Sequence, residues 1–146
     1  MKLPALGGRG TVSPCLLVEN IPDELRFLEV VFGAQVSQRP VGNESTLWQV
    51  EVRLGNAILL IGRAQKENPP ATGMLYVWAE DVDAMYARAV EQGATLISAP
   101  GDQASGVREA GFRDPQGNIW WIGEQASRPS NREVERRLAE QRQKRL

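Results

Sequence analysis

The chain has 146 residues, 42% of them hydrophobic and 24% charged, with a formal net charge of −1 and no histidine. That length suffices for one domain that buries about 70% of its unfolded surface, and residues 1–126 carry 10 basic against 15 acidic side chains (net −5) while residues 127–146 carry 7 against 3 (net +4). An acidic body excludes a nucleic-acid surface, a single cysteine, Cys15, excludes an internal disulfide and points to a reducing, cytoplasmic setting, and no run approaches the roughly 20 apolar residues of a membrane span.

Residues 1–11 are expected to form a flexible leader, since Met1 to Val12 hold three glycines and lack the apolar run of a signal peptide. Pro14 to Val18 is a short apolar strand, followed by a helix over Ile21 to Phe32 with Pro22 in its first turn and Gly33 as its left-handed cap. Ile21, Leu25, Leu28 and Phe32 recur at helical spacing, so one face is buried. Thr46 to Leu54 and Ala57 to Gly62 form a hairpin turned by Gly55-Asn56. Residues 63–73 connect two halves of the chain.

The second half repeats the plan: strand Met74 to Ala79, helix Val82 to Gln92 with Val82, Met85 and Ala89 facing inward, Gly93, and strand Thr95 to Ser98. Ala99 to Gly106, with a proline, two glycines and an aspartate, reads as a mobile loop that rims a cavity. Val107 to Arg113 and Ile119 to Gly123 form the last hairpin, turned by Asp114-Pro115-Gln116-Gly117. Ser130-Asn131-Arg132-Glu133 is a capping box that opens a basic helix through about Arg145. Its narrow stripe of Val134, Leu138, Ala139 and Leu146 suits either a latch or a solvated tail.

Val18 matches Ala79, Gly33 matches Gly93 and Ile61-Gly62 match Ile122-Gly123, an offset of 60 to 61 residues. The chain is therefore predicted to be α+β, with two tandem βαβββ modules (12–62 and 74–125) forming cupped mixed sheets in one domain over 12–125, and a C-terminal helical segment over 126–146. The stretch Arg108 to Glu124 (REAGFRDPQGNIWWIGE), with Glu80-Asp81-Val82 at a helix start and Gly93-Ala94, resembles the vicinal oxygen chelate superfamily. That superfamily comprises glyoxalase I, extradiol dioxygenases, fosfomycin-modifying enzymes and bleomycin-resistance proteins, and the resemblance covers residues 12–125.

In metal-dependent relatives, four inward His, Glu or Gln side chains hold a divalent ion, and the resemblance places those positions at Ser13, Leu60, Met74 and Trp121. A hydroxyl, a thioether and two hydrocarbon-like groups make no site for zinc, iron or manganese, so neither a metal nor another cofactor is expected. A chain without histidine also lacks the commonest general base.

Strand alternation sets Leu75, Val77 and Ala79 under the helices and leaves Met74, Tyr76 and Trp78 on the concave face. Ile58, Leu60 and Trp121 face inward by the same parity, so the candidate ligand-binding residues are Ser13, Leu60, Met74, Tyr76, Trp78 and Trp121. Trp48 and Trp120 read as simple core, Trp48 alongside Val50 and Val52 on the apolar side of its strand, and Cys15 as a buried inert thiol. Gln49, Glu51 and Arg53 fall on the opposite strand face, and matching the turns sets Glu51 against Arg113 as an expected cross-strand ion pair.

Aromatic walls with rim carboxylates suit a planar or cationic small molecule. The resemblance thus implies a homodimeric, metal-free binding protein of the bleomycin-resistance type that sequesters an antibiotic or similar compound. The alternative is a metal-independent enzyme, of lyase, isomerase or hydrolase type, that uses Glu51 or Glu109 as acid or base with Tyr76 or Arg113 polarising a carbonyl.

Overall fold

The computed structural model describes residues 3, 7–38 and 48–145. Thr46 and Leu47 of the expected hairpin, residues 1, 2 and 4–6 of the leader, and Leu146 lie outside the described residues. Eleven elements follow in order: β1 (Cys15–Val18), α1 (Ile21–Phe32), β2 (Gln35–Gln38), β3 (Gln49–Leu54), β4 (Ala57–Arg63), β5 (Met74–Trp78), α2 (Val82–Glu91), β6 (Thr95–Asp102), β7 (Val107–Arg113), β8 (Ile119–Gln125) and α3 (Asn131–Lys144). They build two four-stranded mixed sheets of order β1-β4-β3-β2 (sheet A) and β5-β8-β7-β6 (sheet B). In each, the first strand runs parallel to the fourth and the other pairs are antiparallel. The two-module α+β architecture is thus present, and no helix of the described residues is long and apolar enough to cross a membrane.

Local chemistry sets the element ends. The Asn20 side chain accepts from the Asp23 amide (3.0 Å) to open α1, and Gly33 closes the helix at φ 67°. Asp81 caps α2 by accepting from the Ala84 amide (2.9 Å), and Ser130 caps α3 by accepting from Glu133. Strand β6 runs four residues beyond its expected end at Ser98, so the predicted loop is reduced to the turn before Gly106. Because β6 is an edge strand, Pro100 costs no ladder hydrogen bond, and irregular register brings Gly101 and Asp102 opposite Glu109 and Arg108.

One core joins both modules. Leu16, Val18, Val50, Val52, Leu59 and Ile61 of sheet A, and Ala110, Phe112, Trp120 and Ile122 of sheet B, lie with Ile21, Phe27, Leu28 and Val31 of α1 in one buried cluster. Phe27 meets Phe112 edge to face (centroids 6.1 Å), and Phe32 meets Trp120 at 4.7 Å. Each such pair adds about 0.5–1.5 kcal/mol beyond area burial. Arg88 of α2 donates to the Val31 carbonyl at 3.3 Å, tying the helices together. The sheets therefore meet through their helix-covered faces, and their concave faces open outward.

Trp48 is a correction: it precedes β3 and is exposed, because the alternation that buries Val50 and Val52 holds only within the strand. Cys15 is also exposed, since it points to the uncovered concave side of β1.

A polar cluster sits in the seam. The Asp114 carboxylate accepts from the Gln116 and Asn118 amides (both 2.9 Å) and from the Trp120 indole (2.7 Å). Glu24 of α1 is fully buried against it, its carboxyl beside the Asp114 carboxylate and the Asn118 side chain. Burial first, and then the Asp114 charge, push the Glu24 carboxyl up to about 9, with Asn118 opposing.

The folded chain therefore keeps a proton that the unfolded chain releases near its ordinary value of 4.5. Stability from this group is fully present below that value and is lost as pH rises toward 9. Replacing Glu24 by Gln should remove that slope, raising stability at mildly alkaline pH by on the order of 1–3 kcal/mol. Denaturant unfolding at a series of pH values checks this; parallel pH profiles for wild type and Glu24→Gln would refute it.

Candidate functional site

Sheet B carries most of the predicted ligand-binding residues. Along β5 the side chains alternate: Leu75 and Val77 pack on the core, while Met74 (71% exposed), Tyr76 (45%) and Trp78 (63%) stand on the concave face. The register sets Tyr76 beside Trp121 of β8, Trp121 beside Gly111 of β7, and Gly123 beside Glu109. Trp121 therefore belongs to the same face as the β5 aromatics, half-buried.

Two glycines make this face flat. A Cβ on Gly111 would meet the Trp121 ring at 2.9 Å, and one on Gly123 would meet the Tyr76 hydroxyl at 2.1 Å. The two rings thus lie down across neighbouring strands into space that any side chain would fill. The Tyr76 hydroxyl reaches across Gly123 and donates to Glu109 Oε2 at 2.8 Å. The Tyr76 and Trp78 rings lie 5.2 Å apart, tilted by 55°. Burial, and then the hydrogen bond and charge of Glu109, push the Tyr76 phenol up to about 12, so at neutral pH it is a donor and not a base.

A hollow of about 500 Å³ runs along the free edge of β5. Pro14, Leu54, Ala57 and Leu59 from sheet A and its hairpin line it with Met74, Tyr76 and Trp78, and Trp120 also reaches it from the core. Trp121 does not line this hollow; its place is on the neighbouring floor.

The remaining predicted residues fall on sheet A. Ser13 precedes β1 and is half-buried, and Leu60 sits directly opposite Glu51 in the β3–β4 ladder. Leu60 lines a separate, polar hollow of about 360 Å³ with Arg9, Gln49 and Glu51. The expected Glu51–Arg113 pair does not form, because β3 and β7 belong to different sheets. Glu51 pairs with Arg9 at 2.5 Å, and Arg113 donates to the Gly117 carbonyl at 2.9 Å. Arg9 and the two floor glycines had no periodic signal to mark them.

The four positions that the resemblance assigns to metal ligands are divided in the same way, Ser13 and Leu60 with sheet A and Met74 and Trp121 on sheet B. Their donor chemistry does not fit a divalent ion. Among the described residues no three His, Cys, Asp or Glu side chains converge.

Residues 11–122 match the family model described as the Glyoxalase/Bleomycin resistance protein/Dioxygenase superfamily. An uncharacterized protein of Mycobacterium bovis is 24% identical over 148 residues, covering 94% of this chain and 97% of that protein. Among solved structures, TioX from Micromonospora sp. ML1 superposes with a TM-score of 0.65 at 20% identity, over 78% of this chain and 98% of its own. The fosfomycin resistance protein FosX from Mesorhizobium loti superposes with a TM-score of 0.59 at 16% identity, over 85% and 95%. At these identities the superpositions show a common fold.

The Tyr76–Glu109 contact has a spectroscopic readout, because the chain has only two tyrosines. Ultraviolet titration should find one phenol ionising near 12, and Glu109→Gln should lower that value without returning it to 10, since burial is the larger cause. A wild-type protein in which no phenol titrates above the ordinary 10 would contradict the Tyr76–Glu109 contact.

Proposed function

The chain belongs to the glyoxalase/bleomycin resistance protein/dioxygenase superfamily, and on that premise we propose that it binds a flat, cationic small molecule without a metal. The carrying observation is the concave face of sheet B, where Tyr76 and Trp78 stand exposed beside the Glu109 carboxylate over a floor opened by Gly111 and Gly123. Water-exposed aromatic surface of this extent is unfavourable for a free monomer and suits a ligand or a second protein surface. A flat cation gains by stacking on the rings and by approaching Glu109. Tyr76 orients the carboxylate while its own proton stays in place, which favours recognition over proton transfer. Sequestration of a basic antibiotic needs only such affinity.

A homodimer accompanies this reading. Met74 and Trp78 of β5 are exposed, and among the described residues β5 is an edge strand of sheet B. A second copy laid against that side would cover apolar surface and close the open hollow.

The test is a thermal-shift screen of flat cations, in which a ligand at roughly a hundred times its dissociation constant adds about 2.7 kcal/mol of stability. Trp78→Ala should weaken a hit about three- to tenfold, the worth of one aromatic contact. Glu109→Gln should erase the preference for a cation over its neutral isostere. No shift across a broad panel, or hits indifferent to both variants, would defeat the reading. Stoichiometric zinc, iron, nickel or manganese in the purified protein would defeat its metal-free part.

A further inference from the structure

The polar hollow on sheet A already contains a cation. Arg9 Nε donates to Glu51 Oε2 at 2.5 Å, across 42 residues of sequence, and the Ser37 hydroxyl donates to Glu51 Oε1 at 3.0 Å. One carboxylate oxygen is thus anchored by the sheet, and the other is turned to the guanidinium. The Arg9 guanidinium, aided by Ser37 and by the more distant charge of Arg53, holds the Glu51 carboxyl below its ordinary range, so it is an anion at neutral pH.

We propose that this hollow is a binding site for amidinium and guanidinium cations, and that Arg9 is its internal occupant, which a ligand of the same chemistry displaces. The pocket has the parts such a ligand needs: a carboxylate that is only 14% exposed, the Gln49 amide, and the apolar Leu60 directly across the ladder to receive the body of an aryl amidine. The occupant is held lightly. Gly7, Gly8 and Gly10 flank Arg9, and Gly7 and Gly8 adopt φ of 58° and 77°, which glycine reaches at little cost. Residues 10–12 are exposed, Val12 included. Among the described residues, the first backbone hydrogen bond from this segment to the sheet is at Pro14, whose carbonyl accepts from Leu60 (2.8 Å). A brace would bury apolar side chains of its own; among its described residues this segment leaves Leu3 and Val12 exposed and brings one charge to one carboxylate. An ion pair whose arginine is 39% exposed contributes little, so a diffusing cation can compete with it.

The site is distinct from the aromatic face of sheet B and stands or falls apart from it. Benzamidine is the probe, titrated by calorimetry into the full-length chain. Arg9→Ala should bind it about fivefold more tightly than wild type, since removing the occupant frees the whole population of sites. Glu51→Gln, which keeps an acceptor for Ser37, should abolish the component of binding that Arg9→Ala strengthens, whereas Trp78→Ala should leave that component unchanged. In the wild type, saturating benzamidine should shift the Arg9 Nε–H resonance in a nitrogen-edited spectrum. Equal affinity in wild type and Arg9→Ala, survival of the Arg9-sensitive component in Glu51→Gln, or no binding to Arg9→Ala would overturn the proposal. Loss of the Arg9-sensitive component in Trp78→Ala would also overturn it, by moving the cation to sheet B.

Discussion

The Asp114 carboxylate is the constraint on which the other parts depend. It stands at the end of β7 and accepts three N–H groups, two from its own turn and one from the Trp120 indole. Those bonds fix the turn, and the turn clasps the rest of the seam. Gln116 accepts from the Asn20 amide at the start of α1 (3.1 Å), and Asn118 accepts from the Gly73 amide just before β5 (3.0 Å). Gly73 has no room for a side chain, because a Cβ there would lie 2.3 Å from Leu16. One carboxylate thereby sets the position of α1 in the first module and of β5 in the second. Glu24 beside it must stay neutral, since two carboxylate charges cannot share a dry seam.

From this seam follows the orientation of the functional surfaces. Helix α1 and the Phe27, Phe32, Phe112 and Trp120 rings fill the space between the sheets, so each sheet presents its other face to the outside. Met74, Tyr76 and Trp78 are exposed because their neighbours on β5, Leu75 and Val77, are committed to the core. The same alternation exposes Cys15. The modules are tied at this point, because the turn of the second half accepts from the amide that opens the helix of the first.

Most of the fold was legible because it is written twice. The 60-residue offset, the Gly-Asn turn, the Asp114-to-Asn118 turn and the caps at Ser130 and Gly33 are local signals with local physical causes, and they gave the two modules and all three helices. The aromatic face was legible through the period of two in β5. What was not legible depends on contacts between distant segments. The Arg9–Glu51 pair joins an aperiodic leader to a strand. Glu51 and Arg113 were misjudged for a different reason: equivalence under an internal repeat relates two positions by symmetry, and symmetry-related residues occupy corresponding places on separate sheets. The extension of β6 through Pro100 escaped because turn-forming residues are tolerated on an edge strand.

Duplication also explains why the two cups have different chemistry. Both are three-strand floors beside a first strand that lies parallel to the fourth, so both start with the same shape. In sheet A the floor carries Gln49, Glu51 and Arg53, side chains that keep bulky rings away and attract charge. In sheet B, glycines at 111 and 123 remove the floor's side chains, and aromatic residues at 76 and 121 take the vacated volume. The second arrangement trades hydrogen-bonding groups for stacking area, while Glu109 keeps one charge at its margin. Gly123 has its counterpart in Gly62 of sheet A, so the two cups differ by one glycine, Gly111 at the place of Glu51, and by two rings, Tyr76 and Trp121 at the places of Cys15 and Leu60, on strands that pair in the same way.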